Sequence, residues 1–232
     1  MWRFVAPAFE KDFVTVTYDQ VGAGGSDLTA YSKIKYRSLD GYAEDLVEIG
    51  KTLGLTNAVF VGHSVSAMIG ILASIESPGL FESLVLVGPS PRYIDDGDYI
   101  GGFSQLQIEE LLEFLDNNHL GWSATMTPVI MGNPDRRELG EELKNSFCRT
   151  DPAIAKHFAR TTFTADNRED LAHVQVGSLI LQCSDDLIAP RAVGEFVHEH
   201  MPGSRLVVLN ASGHCPNLSA PEETLAAIRA IV

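Results

Sequence analysis

The apolar run Ala58–Val61 leads into Gly62-His63-Ser64, and a helix-like stretch, Ala67–Ile75, follows at once. A strand that stops at a serine among small residues and turns directly into a helix is the pattern of a nucleophile elbow, G-x-S-x-G. Ser66 stands here in the place of the second glycine. The pattern constrains the chain strongly. The turn needs an unfavourable backbone conformation at Ser64 and small neighbours where strand and helix cross. Ser66 adds only a hydroxymethyl group there. A serine hydroxyl is a poor nucleophile by itself, so the elbow also predicts a base, and a further group to orient that base.

Other strand-like runs lie at Phe13–Tyr18, Leu84–Val87, Ser178–Gln182 and Leu206–Leu209. They are rich in β-branched residues and mostly apolar throughout, which suits strands covered on both faces of a parallel sheet. Helical patterns lie between them. Tyr42, Leu46, Ile49 and Leu53 form a stripe closed by Gly54, and Thr224, Ala227 and Ile228 form another. This alternation predicts an α/β class, a mostly parallel sheet with helices on both faces. It lapses between residues 93 and 164, where only helical pieces stand out: Gln105–Asn117, Glu138–Phe147 and Pro152–Thr161. The expected organisation is a core in two parts, 1–92 and 171–232, with a helical block at 93–170 entered through the loop Gly88–Phe103.

At 232 residues, 45% apolar and 21% charged, the chain suits one substantial domain carrying an insertion. A formal charge of −14 argues against nucleic acid and anionic membrane surfaces as partners. No stretch approaches the roughly 18 apolar residues of a membrane span. Met1–Glu10 mixes charged and apolar residues, unlike a signal peptide. Cys148, Cys183 and Cys215 have no metal-type spacing and are expected to be reduced thiols of a cytoplasmic protein. No metal or cofactor is expected. His198 and His200 lie two positions apart on a helical pattern and point in different directions. Gly22, Gly24 and Gly25 read as a turn, because the third glycine of a dinucleotide fingerprint would fall on Asp27.

Among seven histidines, His214 follows the run Leu206–Leu209 in the loop N-A-S-G-H-C-P, where a catalytic loop belongs in an open α/β sheet. The carboxylate should follow the preceding strand and come before the helix Ala192–Glu199. The segment L-I-L-Q-C-S-D-D-L-I-A-P offers Asp185 and Asp186, which loop position alone does not separate. Asp19 is a rival, but it precedes the serine and breaks the order Ser…Asp…His.

With these residues assembled, the chain resembles the RsbQ-type α/β hydrolases, sigma-B stress-signalling relatives of the plant karrikin and strigolactone receptors. The resemblance rests on D-Q-V-G-A-G-G-S-D, F-V-G-H-S-V-S-A-M-I-G, L-V-G-P-S-P-R-Y, G-G-F, L-I-L-Q-C-S-D-D-L-I-A-P and G-H-C-P, spread over nearly the whole sequence. It implies an α/β-hydrolase fold with a lid of four helices over a largely apolar pocket. It also implies Ser64 as nucleophile, His214 as base and, four residues before Pro190, Asp186 as the acid. The Val65 N–H would be an oxyanion donor, and Phe103, Trp122, Phe158 and Phe163 would be pocket or lid aromatics.

One departure from the family pattern stands out. Residues 1–9 resemble the helix that follows the family's third strand, and no glycine occurs before Gly22. Roughly thirty residues of the pattern, three strands and the loop that donates a second oxyanion N–H, are therefore expected to be absent. The run Phe13–Tyr18 would then have to re-pair or leave backbone groups unsatisfied. The functional expectation is a serine hydrolase acting on a small, mostly apolar ester or lactone through an acyl-enzyme, in an RsbQ-like role. The alternative is a ligand-binding signalling protein with slow or incidental hydrolysis that activates a phosphatase bearing a PAS domain.

Overall fold

Leu84 and Leu86 face one side of the central sheet while Val85 and Val87 face the other, so this run has no position left for a polar residue. The computed structural model describes all 232 residues. Its sheet has four parallel strands in the spatial order β1 (Ala58–His63), β2 (Phe81–Val87), β3 (Gly177–Asp185) and β4 (Ser204–Ser212).

On the first face, helices α1 (Asp40–Thr52) and α2 (Val65–Glu76) pack Tyr42, Leu46, Met68, Ile69 and Ile71 against Leu84, Leu86 and Ile180. Of the helical stripe expected on α1, Leu53 falls outside the helix and is exposed. Helix α7 (Arg191–His200) links β3 to β4 and adds Val197 to the same core. On the second face, Val5 and Phe9 of the N-terminal turns and Ile228 of the last helix cover Val85, Leu179, Leu181 and Leu209.

The four helices between β2 and β3 form a separate layer: α3 (Gln105–Asn117), α4 (His119–Met131), α5 (Arg137–Arg149) and α6 (Pro152–Phe163). Local chemistry sets their ends. Ser104 and Gln107 make a reciprocal capping box on α3, Asn118 caps α4, and Asp151 caps α6 ahead of Pro152. Sequence patterning did not single out α4, whose interior carries Gly121 and Pro128, two residues that weaken a helical signal. Burial of Trp122, Ser123, Thr127 and Met131 holds it in place. The chain ends in α8 (Pro216–Ser219) and α9 (Pro221–Arg229).

Phe13–Tyr18 corrects an expectation. The segment joins no ladder, and Val14 is 94% exposed. β1 pairs only with β2 and is the sheet's edge. Residues 13–18 have strand-like side chains, but a strand exists only where a neighbour offers its backbone groups, and here none does.

Candidate active site

Three bonds carry the sheet's hydrogen bonding past the carboxyl ends of the strands. Ser64 N–H donates to Val87 O (2.8 Å), Gly88 N–H to Leu181 O (2.8 Å) and Gly213 N–H to Asp185 O (2.7 Å). They hold the loops bearing Ser64, Asp186 and His214 at one edge of the sheet, where open α/β folds place ligands.

Ser64 sits between β1 and α2 with φ +56°, a left-handed conformation that is uncommon away from glycine. The close crossing explains the small residues. A Cβ on Gly62 would lie 2.7 Å from the Ser66 carbonyl, and one on Gly70 would lie 2.1 Å from the Phe60 ring. Ser66 is more than tolerated, since its hydroxyl accepts a hydrogen bond from Gln20 Nε2 at 3.2 Å, tying the elbow to the D-Q-V-G-A-G-G-S-D turn. Val65 is the first residue of α2, so its N–H has no helical carbonyl to bond.

His214 Nε2 lies 2.7 Å from Ser64 Oγ, and His214 Nδ1 lies 2.7 Å from Asp186 Oδ2. A carboxylate oxygen only accepts, so Nδ1 carries the proton and Nε2 is free to take one from Ser64. Asp186 and His214 are both buried. Asp186 Oδ1 accepts from the N–H groups of Ile188 (2.8 Å) and Ala189 (3.1 Å). Burial alone would raise its pKa. The charge and hydrogen bond of His214, with those two N–H donors, outweigh burial and hold the carboxyl below the usual carboxylate range.

The neighbouring Asp185 is exposed, and only its carbonyl takes part, through Gly213. Asp19 accepts from Gly25 N–H at 2.8 Å and belongs to the turn. His198 and His200 hydrogen-bond to Ser204 and to the Phe196 carbonyl, and no cluster of metal-binding side chains occurs. Phe103, Trp122 and Phe163 join Tyr93 in one apolar cluster of the helical layer, whereas Phe158 packs edge-on against Tyr42 of α1, 5.4 Å between centroids.

Several further residues at this edge gain a role only in the fold, among them His63, whose place inside the elbow points to local packing or hydrogen bonding. Gly88 lies so close to His214 that a Cβ would be 3.1 Å from Cε1 and 3.3 Å from Nδ1. Its signal was a glycine ending an apolar strand. His63 Nε2 hydrogen-bonds to the His214 carbonyl at 2.6 Å. The Tyr93 hydroxyl is 3.4 Å from Ser64 Oγ; the residue closes the L-V-G-P-S-P-R-Y block, but nothing local marks it. His214 itself is held from the helical layer, because its N–H donates to Ile130 O of α4 at 2.7 Å.

The model of the alpha/beta hydrolase family matches residues 1–228. The chain belongs to that family. Among its relatives in the alpha/beta hydrolase family is karrikin insensitive 2 receptor IA of Petunia hybrida. It is 37% identical over 226 residues, 97% of this chain and 82% of the receptor. Strigolactone esterase D14 of Arabidopsis thaliana is 37% identical over 223 residues, 96% of this chain and 83% of the esterase. A solved structure of a hydrolase from Oleispira antarctica superposes with a TM-score of 0.96 at 38% identity, covering 99% of this chain and 84% of that one. This alpha/beta hydrolase thus has relatives named as esterases and relatives named as receptors. None of its helices is long and apolar enough to cross a membrane.

Proposed function

We propose that this chain is a serine hydrolase acting on a small, mostly apolar ester or lactone. Ser64 is the nucleophile, His214 the general base and then acid, and Asp186 the residue that orients His214. The observation that carries the reading is the unbroken relay from Asp186 Oδ2 through His214 to Ser64 Oγ, 2.7 Å at each step, at a strained elbow. As Ser64 attacks the carbonyl carbon, its proton passes to His214 Nε2. The Val65 N–H stabilises charge on the carbonyl oxygen. The tetrahedral adduct expels the alcohol, which takes the proton from His214, and water activated by the same imidazole resolves the acyl-enzyme. The reaction uses no cofactor.

The substrate class follows from surroundings. Tyr93, the neighbour of Ser64, belongs to an apolar cluster with Ile108, Trp122 and Ile188, and Phe103 and Phe163 pack against it. Residues 93–170 are read as the lid. A net charge of −14 disfavours anionic substrates. The three unpaired cysteines fit a reducing, cytoplasmic setting. The test is covalent labelling with a fluorophosphonate, together with hydrolysis of short p-nitrophenyl esters. Labelling should map to Ser64, and Ser64→Ala should lose both activities. A Ser64→Ala chain with the parent's turnover overturns the assignment.

A second reading is favoured by the 37% identity to a protein named as a karrikin receptor. In it, ligand binding is the function and hydrolysis is slow or incidental. The RsbQ-type role and its PAS-domain phosphatase partner belong to this reading and rest on the sequence blocks alone. Turnover measured beside pull-down of such a phosphatase separates the two. Fast turnover without capture supports the enzyme, while ligand-dependent capture with turnover below one per minute supports the receptor.

A further inference from the structure

Ser64 Oγ has a second polar neighbour besides His214, the phenol of Tyr93 at 3.4 Å. Tyr93 is only 3% exposed, and its hydroxyl has no hydrogen-bond partner other than Ser64. The separation exceeds the usual O–H···O range of about 2.5–3.0 Å, so the phenol proton is not committed to Ser64.

The residue is firmly mounted. Phe103 N–H donates to the Tyr93 carbonyl at 3.1 Å. The preceding carbonyl, Arg92 O, accepts from Tyr99 OH (2.6 Å) and from Ser90 Oγ–H (3.0 Å). Gly101 packs so tightly on this backbone that a Cβ there would sit 2.6 Å from the Tyr93 carbonyl, and Asp95 Oδ1 holds the N–H groups of Gly101 and Gly102. The ring stands edge-on to Phe163, 5.0 Å between centroids. The P-S-P-R-Y and G-G-F blocks, which the relay of Ser64, His214 and Asp186 does not use, together fix one phenol beside the nucleophile.

We propose that Tyr93 is a further catalytic residue, whose O–H donates to the substrate's carbonyl oxygen as that oxygen becomes an oxyanion, sharing the charge with the Val65 N–H. The inference rests on Ser64 being the nucleophile. When the Ser64 Oγ–carbon bond forms, the carbonyl π pair moves onto oxygen and the serine proton moves to His214. When the bond to the leaving alcohol breaks, that pair returns and the alcohol takes the proton from His214. Tyr93 keeps its own proton throughout. Burial, opposed by the Ser64 contact, pushes its pKa up to about 12, which keeps it a donor at neutral pH. A donor held still before the charge appears favours the transition state over the ground state.

Tyr93→Phe tests this by removing one oxygen and keeping the ring against Phe163. With p-nitrophenyl acetate, kcat/KM should fall about 100-fold, the lower end of the range for removing one oxyanion donor. A trifluoromethyl ketone, which forms an oxyanion adduct on Ser64, should bind more weakly by a similar factor. The matching trifluoromethyl carbinol, which forms no adduct, should bind as before, and the melting temperature should stay at the parent's. A Tyr93→Phe chain that is labelled by fluorophosphonate with the parent's kinetics and ketone affinity overturns the Tyr93 assignment and leaves Ser64 standing. If affinities for ketone and carbinol fall together, Tyr93 only shapes the wall, and the proposal also fails. A parent chain whose esterase rate survives Ser64→Ala overturns both readings at once.

Discussion

His63 donates from Nε2 to the main-chain carbonyl of His214 across 2.6 Å, with the two imidazole rings 5.0 Å apart. A carbonyl only accepts, so the His63 proton is placed on Nε2. The variable position of the elbow thereby becomes a strut between the strand that leads into Ser64 and the loop that carries His214, 151 residues apart in sequence. Burial, and then the neighbouring His214, push the His63 pKa down to about 3, so this ring stays neutral at ordinary pH.

That depression makes a prediction about acid stability. In the unfolded chain His63 takes up a proton near pH 6.5, whereas in the fold it resists protonation until about pH 3. Its contribution is therefore fully present above about pH 6.5 and is lost as pH falls through that window. Across it the parent should lose up to about 1.4 kcal/mol per pH unit more than His63→Gln. Urea melts of both chains between pH 7 and 4 measure the difference. Parallel pH profiles would refute the strut's neutral state.

Gly88→Ala should harm activity more than stability. The new Cβ meets His214 at 3.1 Å, and φ of +56° is strained for alanine. The backbone strain costs about 1–2 kcal/mol. Displacement of the imidazole by a few tenths of an ångström should lower kcat by about tenfold or more, since near-attack geometry is sensitive to such shifts. Thermal melts beside esterase kinetics check both parts.

Asp186→Asn keeps the shape but reverses the tautomer. An amide N–H facing His214 Nδ1 would force the imidazole proton onto Nε2, where it can no longer accept from Ser64. A loss in kcat on the order of 10³–10⁴ is expected. Asp185→Asn, at the exposed neighbour, should leave kcat near the parent's. Equal effects at the two positions would contradict the relay.

The junction between the helical layer and the His214 loop predicts an opposite pair of glycine effects. A Cβ on Gly213 would sit 1.9 Å from the Met131 carbonyl oxygen, at φ +83°. Gly213→Ala should destabilise by about 2 kcal/mol or more and lower kcat, because α4 and the His214 loop share this contact. Gly140, inside α5, has nothing within 4 Å of such a Cβ. Gly140→Ala should stabilise by about 0.5–1 kcal/mol without touching activity. Chemical denaturation of both variants checks the contrast.

Much of the fold was legible because it is written locally. The runs at Ala58–Val61, Leu84–Val87, Ser178–Gln182 and Leu206–Leu209 became β1 to β4, each extended by a few residues. Where the fold departed from expectation, distant context was responsible. Phe13–Tyr18 has the composition of a strand and lacks a ladder partner. Helix α4 carries breakers and is held by burial. Phe158 shares a helix with Phe163 but turns to Tyr42, because positions five apart on a helix face different ways.

The same division runs through the site. The elbow, its backbone strain and the order of the loops bearing Ser64, Asp186 and His214 are written locally, since these depend on side-chain size and pattern within a few residues. Loop position left Asp185 and Asp186 open and the family resemblance pointed to Asp186, but its contact with His214, the room that Gly88 leaves for the imidazole and the approach of the Tyr93 hydroxyl to 3.4 Å from Ser64 arise only in the folded chain. These contacts join residues 28, 126 and 29 positions apart, and no local pattern encodes them. They arise where strand ends, loops and the helical layer meet in three dimensions.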